Sequence, residues 1–101
     1  MPVVRFLVLA VLTIALAACG NSSPGELAGT WVTSPISMKA TFRDGETETM
    51  GVIERVTYKR DGSSVIVNYQ DGLMKGSSVR FEMVNPTTAK AMGMTYMKVS
   101  N

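Results

Sequence analysis

The sequence predicts an all-β domain: an antiparallel meander of about seven short strands curled into a small barrel or half-barrel, behind a cleavable leader. Three observations carry this. Apolar and polar residues alternate with period two through most of residues 27–101. The alternation breaks at turn dipeptides, Asp44-Gly45, Asp61-Gly62, Asp71-Gly72 and Asn85-Pro86, which supply the tight or left-handed dihedrals a hairpin needs. No stretch of this region has the 3.6-residue period of an amphipathic helix.

The first strand, 29–34, opens on Gly29-Thr30-Trp31. In the second, 36–43, Ile36, Met38, Ala40 and Phe42 alternate with Ser37, Lys39, Thr41 and Arg43. The third, 47–59, sets Met50, Val52, Val56 and Tyr58 against Gly51, Ile53, Arg55 and Thr57. It is long, and Gly51 is expected to bend it or form a bulge. Val65, Val67 and Tyr69 mark a fourth strand at 63–70, and Val79, Phe81 and Met83 a fifth at 77–84. Strands at 87–92 and 94–99 complete the meander, which leaves fewest open edges by curling over its apolar face. Gly-Ser-Ser-Val recurs at 62–65 and 76–79, read as two similar hairpin entries.

Before this domain, Arg5 is the single charge of a short basic region, and residues 6–18 are apolar except for Thr13. Thirteen helical residues span about 20 Å, against a hydrocarbon core of about 30 Å. These are the proportions of a signal-peptide apolar region.

That region ends in Leu16-Ala17-Ala18-Cys19, which resembles the lipobox of bacterial lipoproteins. The resemblance implies that the Cys19 thiol receives diacylglycerol, that residues 1–18 are removed, and that Cys19 becomes the acylated (palmitate-bearing) first residue. Two or more acyl chains hold a protein stably where one does not. In the family's pattern an Asp after the cysteine retains the protein at the inner membrane. Gly20 stands there, which implies the periplasmic face of the outer membrane in a Gram-negative cell. In a Gram-positive cell the same motif places the domain outside the plasma membrane. Residues 19–26 are then the lipidated cysteine and a polar, flexible tether, and 27–101 the β domain.

"GTW" (29–31), with "LAGTWV" and the closing "GMTYMKV" around it, resembles the Gly-X-Trp opening and the chain ends of small lipocalin-like lipoproteins. The resemblance implies that Trp31 plugs one end of the barrel. The chain has about half the length of a full lipocalin. Trp31, Tyr58, Tyr69 and Met83 are needed to fill so small an interior, so no enclosed ligand cavity is expected.

Composition narrows the chemistry. The chain has 101 residues, ten Lys and Arg, eight Asp and Glu, and no histidine. The charges are interspersed without the basic stripe of a nucleic-acid binder. Without histidine a Ser-His-Asp triad is impossible, and a single cysteine forms no internal disulfide. Lys75-Gly76-Ser77-Ser78 leaves a Ser-Lys pair formally open, but a lysine in a turn has nothing to lower its pKa. Glu54 interrupts an apolar strand face. An inward carboxylate must be paired or protonated, and Arg80 or Lys98 is the expected partner. No second carboxylate shares its face, so an acid pair of glycosidase type has no support. If the domain takes a ligand, Trp31, Glu54, Tyr58 and Arg80 are the candidate contacts.

The expected function is therefore a non-catalytic binding or interaction module without cofactor or metal, anchored to the envelope membrane. It would contact an envelope protein, or a small apolar ligand, through an open edge or end of the barrel. Two alternatives remain. One is a protective factor, such as a lysozyme inhibitor or exclusion lipoprotein; lysozyme-inhibitor lipoproteins carry a Ser/Lys loop and a disulfide that this chain lacks. The other is a copper-binding envelope protein using the thioethers of Met92, Met94 and Met97, although strand parity sets Met97 on the opposite face.

Overall fold

A computed structural model describes residues 21–101; the leader, Cys19 and Gly20 lie outside the described residues. Eight strands follow in sequence: β1 (Gly29–Ser34), β2 (Lys39–Arg43), β3 (Glu46–Thr49), β4 (Val52–Asp61), β5 (Ser64–Tyr69), β6 (Ser78–Asn85), β7 (Thr88–Ala91) and β8 (Met94–Ser100). Each pairs antiparallel with the next, and β8 returns to β1, so the sheet is a closed barrel. Among the described residues one 3-10 turn, η1 (Gly25–Leu27), precedes β1. The fold is the all-β meander the alternation indicates, and closure leaves no strand edge free among the described residues. An up-and-down meander brings its last strand back antiparallel to its first only when the strand count is even.

The eighth strand arises where one long third strand was expected. Met50 and Gly51 form a two-residue hairpin turn between β3 and β4, with Thr49 opposite Val52. Both turn residues have positive φ, 53° and 83°, as a type I′ turn requires. Met92-Gly93 repeats the device between β7 and β8, with φ of 53° and 74°. The left-handed region strains any side chain but is tolerated best by Asn among non-glycine residues. Met50→Asn is therefore expected to relieve up to ~1 kcal/mol, raising the thermal midpoint by a few degrees. A lowered midpoint in a melt of the variant would show that the Met50 side chain contributes packing that outweighs the strain.

Two further differences from the expected boundaries are local. β2 begins at Lys39 rather than at residue 36, because Thr33 Oγ1 bonds Ile36 O and accepts from Met38 N–H, holding 35–38 as a loop. The segment expected as a flexible tether is in part docked. Asn21 exchanges both backbone hydrogen bonds with Tyr58, at 3.0 and 2.7 Å, and Ser22 O accepts from Gly45 N–H at 2.8 Å.

Inward residues fill the barrel. Phe42, Phe81 and Tyr96 stack edge to face, with centroids 5.1 and 5.0 Å apart, a favoured aromatic geometry. Val56, Val65, Val67, Val79, Ala89 and Ala91 occupy the space around them. Gly29 is fixed by closure: its φ is 121°, and a Cβ there would lie 2.6 Å from Ser100 O. This is a backbone reason for the glycine of Gly-Thr-Trp.

Candidate functional site

The two ends of the barrel differ in chemistry. At the η1 end, Leu27 and Trp31 are fully buried. The Trp31 indole N–H donates to Leu27 O at 2.9 Å, and Lys98 Nζ lies 5.2 Å from the ring centroid. Trp31 is thus buried at this end of the barrel and tied to η1 through Leu27. Glu26 binds Arg60 at 2.7 Å, and its carbonyl accepts from Lys98. The turns at this end are polar: Asp44-Gly45, Gly62-Ser63 and Pro86-Thr87.

At the other end every turn carries an exposed apolar residue. Ile36 lies between β1 and β2, Met50 between β3 and β4, Leu73 between β5 and β6, and Met92 between β7 and β8. Their exposures are 66, 68, 102 and 61 %, and Val52 and Ile53 beside Met50 are also more than half exposed. Isolated exposed apolar residues need no explanation, but a set gathered at one pole marks an interaction surface. Met50 and Met92 add a second departure, since each holds a strained left-handed backbone. Strain together with exposed apolar surface is of no benefit to the fold and points to function. We call this end the crown.

Glu54 organises the crown from inside. It lies half-buried on the inward face of β4, and its Oε2 accepts from Met74 N–H at 3.3 Å. A Cβ on Gly72 would lie 2.4 Å from the same oxygen, so the loop passes close over the carboxylate because residue 72 has no side chain. Asp71 Oδ1 accepts from Arg55 N–H at 2.8 Å. These bonds draw the 70–77 loop across the mouth, where half-buried Met74 packs against the core and Leu73 points outward. The expected partners of Glu54 are elsewhere: Arg80 is exposed and binds Asp61 at 2.9 Å, and Lys98 sits over Trp31. The carboxylate is satisfied by backbone from a loop twenty residues away, which alternation within a strand does not signal.

The four candidate ligand contacts are therefore not brought together. Trp31 is buried at one end, Glu54 holds the loop at the other, and Arg80 is on the outer surface. The Tyr58 hydroxyl is 3.0 Å from the carbonyls of both Arg43 and Glu46, bracing the β2–β3 turn. Burial, before any charge effect, pushes the Tyr58 pKa well above the usual tyrosine value, and does the same to Tyr69 and Tyr96. The clefts described lie on the outside or at the rim; one of about 500 Å³ at the η1 end is lined by Pro24, Gly29, Phe42, Arg43 and Asn101. Met94 is half-buried on the inner face, Met97 lies outside and Met92 sits in a turn, so their sulfurs do not converge. Lys75-Gly76-Ser77-Ser78 closes the crown loop as an exposed turn.

The chain matches no family model, no curated protein and no solved structure.

The crown is the candidate site that reading the sequence missed. Its signal was an apolar residue in the middle of each turn: Ile36 after Ser34-Pro35, Met50 and Met92 before glycine, and Leu73 after Asp71-Gly72. Turn positions normally take Asn, Asp, Ser or Gly, so four apolar tips at one pole are a consistent departure.

Proposed function

We propose that the chain is a bacterial lipoprotein, anchored through acylated Cys19, whose barrel is a non-catalytic interaction module of the cell envelope. In a Gram-negative source it belongs at the periplasmic face of the outer membrane. The lipobox-like Leu16-Ala17-Ala18-Cys19 supports the anchor. One observation carries the interaction reading: the four exposed apolar tips of the crown. The filled interior argues against a small ligand inside the barrel, in line with the expectation of no enclosed cavity, and the closed sheet argues against a partner strand at an open edge, which the sequence left possible. The crown is the end that remains. Docking of Asn21 beside Tyr58, in the half of β4 away from the crown, would leave only Cys19 and Gly20 between acyl chains and barrel. Two residues reach at most about 7 Å, so the η1 end would lie against the anchoring bilayer and the crown would face away from it.

Photo-cross-linking in cells tests this reading. A photoreactive residue at position 73 should give discrete adducts. The same residue at Ser63, in a polar turn of the other end, should give none. Adducts at Ser63 with none at position 73 would refute the crown as the contact surface.

A further inference from the structure

We propose that residues 21–23 form a releasable strap that gives the tether two lengths, a consequence that rests on the anchor reading of Cys19. β4 has ten residues and β3 only four, and their pairing ends at Glu46 and Arg55. Beyond that point the N-terminal segment lies beside β4. Asn21 bridges Tyr58 antiparallel. Its carbonyl accepts from Tyr58 N–H at 2.7 Å and its N–H donates to Tyr58 O at 3.0 Å, while Ser22 O accepts from Gly45 N–H at 2.8 Å. One strap thus ties the middle of β4 to the β2–β3 turn.

Side chains add little to this hold. Asn21, Ser22 and Ser23 are exposed. Among the described residues, their side-chain hydrogen bonds stay within the segment: Asn21 Oδ1 accepts from Ser23 N–H at 2.9 Å, and Ser23 Oγ from Gly25 N–H at 3.3 Å. Between strap and barrel is a cleft of about 130 Å³ whose lining includes Asn21, Ser23, Tyr58, Arg60 and Val65, so the strap arches over space. The chain is fixed just afterwards. Pro24 and Leu27 are buried, and Gly25 turns it between them with a φ of 58°. A fixed spacer needs packing, which Pro24 and Leu27 have and residues 21–23 lack. Such a segment belongs to the least stable part of a structure, and its internal bonds let it swing as a unit about Pro24. Docked, it leaves Cys19 and Gly20 between acyl chains and barrel. Released to the pivot, residues 19–23 separate them, and the reach rises from about 7 Å to about 17 Å. The barrel then gains about 10 Å of height above its anchoring bilayer.

Residues 20–101 include every strand, each paired on both sides, and the described core, so this segment is a self-contained barrel that reports on the strap without the anchor. Native-state hydrogen exchange is the measurement. The Tyr58 and Gly45 amides are bonded to the same strap and should share one protection factor, at least about tenfold below that of Val67 in the β5–β6 ladder. Low urea should hardly change it, because opening the strap exposes little surface. Asn21→Pro deletes the N–H given to Tyr58 O. It should speed both amides by up to about tenfold, with the circular dichroism of the barrel retained. Exchange of Tyr58 and Gly45 only through the urea-dependent opening seen at Val67, or at rates that Asn21→Pro leaves unchanged, would overturn the strap. On vesicles, the acylated protein with a fluorophore at position 63, in the β4–β5 turn, should transfer less energy to dye-labelled lipid in Asn21→Pro than in wild type. Equal transfer would overturn the change of reach. Protein found without lipid at Cys19 would refute the anchor reading and the change of reach with it, and the exchange result decides the strap separately.

Discussion

Trp31→Ala is expected to abolish the cooperative melt of the barrel. The side chain is fully buried and closes the η1 end over the Phe42–Phe81–Tyr96 stack. Truncating a buried aromatic costs about 3–5 kcal/mol, and here the indole bond to Leu27 O is lost as well. A domain of this size has a total stability of roughly 4–12 kcal/mol. Trp31→Phe keeps most of the ring area and loses the hydrogen bond, so it should cost less and remain folded. Circular dichroism melts of the three proteins check this order. An unchanged midpoint in Trp31→Ala would mean that Leu27 and η1 seal the end without the indole.

Alkali should unfold the barrel, with all three tyrosines ionising in the same transition. Tyr58 and Tyr96 are buried and Tyr69 packs against the core. Burial raises the pKa of each, with Glu54 adding to the effect on Tyr69. The sign follows from proton counting. The unfolded chain releases these protons near pH 10, while the folded chain keeps them, so above pH 10 the native state binds more protons and stability falls as pH rises. The contribution is complete below pH 10 and is lost above it, at up to ~1.4 kcal/mol per pH unit for each tyrosine. Three together reach ~4 kcal/mol per unit. Tyrosinate absorbance and circular dichroism, followed against pH, should change together. Ionisation of all three near pH 10 with the barrel intact would contradict the burial that fills the interior.

The alternation of Ala40 and Phe42, Val65 and Val67, and Val79, Phe81 and Met83 made the strands legible, because in a barrel one face is always inside. Trp31 was legible from its place beside Gly29. The turn at Met50-Gly51 was not: methionine is neither a turn former nor a strand breaker, and alternation from Met50 to Tyr58 reads through it. The docking of Asn21 was hidden for another reason. Its contacts with Tyr58 are backbone hydrogen bonds, which any residue but proline can make and which leave no trace in side-chain pattern. Glu54 was legible as an anomaly but not in its resolution, since its partner is a main-chain N–H that only the folded loop delivers.

The same turns show a conflict between stability and contact. Met50 and Met92 are strained and exposed, and asparagine would serve the backbone better at both. Met50→Asn should therefore gain stability while weakening whatever the crown touches, the trade-off expected where a surface is kept for function.

The central claim is an anchored barrel, and the chemical state of residue 19 tests it most directly. The measurement is the intact mass of the protein extracted from the membrane fraction of its cells, compared between wild type and Cys19→Ser. Wild type is predicted to begin at Cys19 and to carry the mass of diacylglycerol, with or without a further acyl chain. The variant is predicted to retain residues 1–18 and to carry no lipid. A wild-type protein that begins at another residue without added lipid, or a variant with the same lipid mass, would contradict the account.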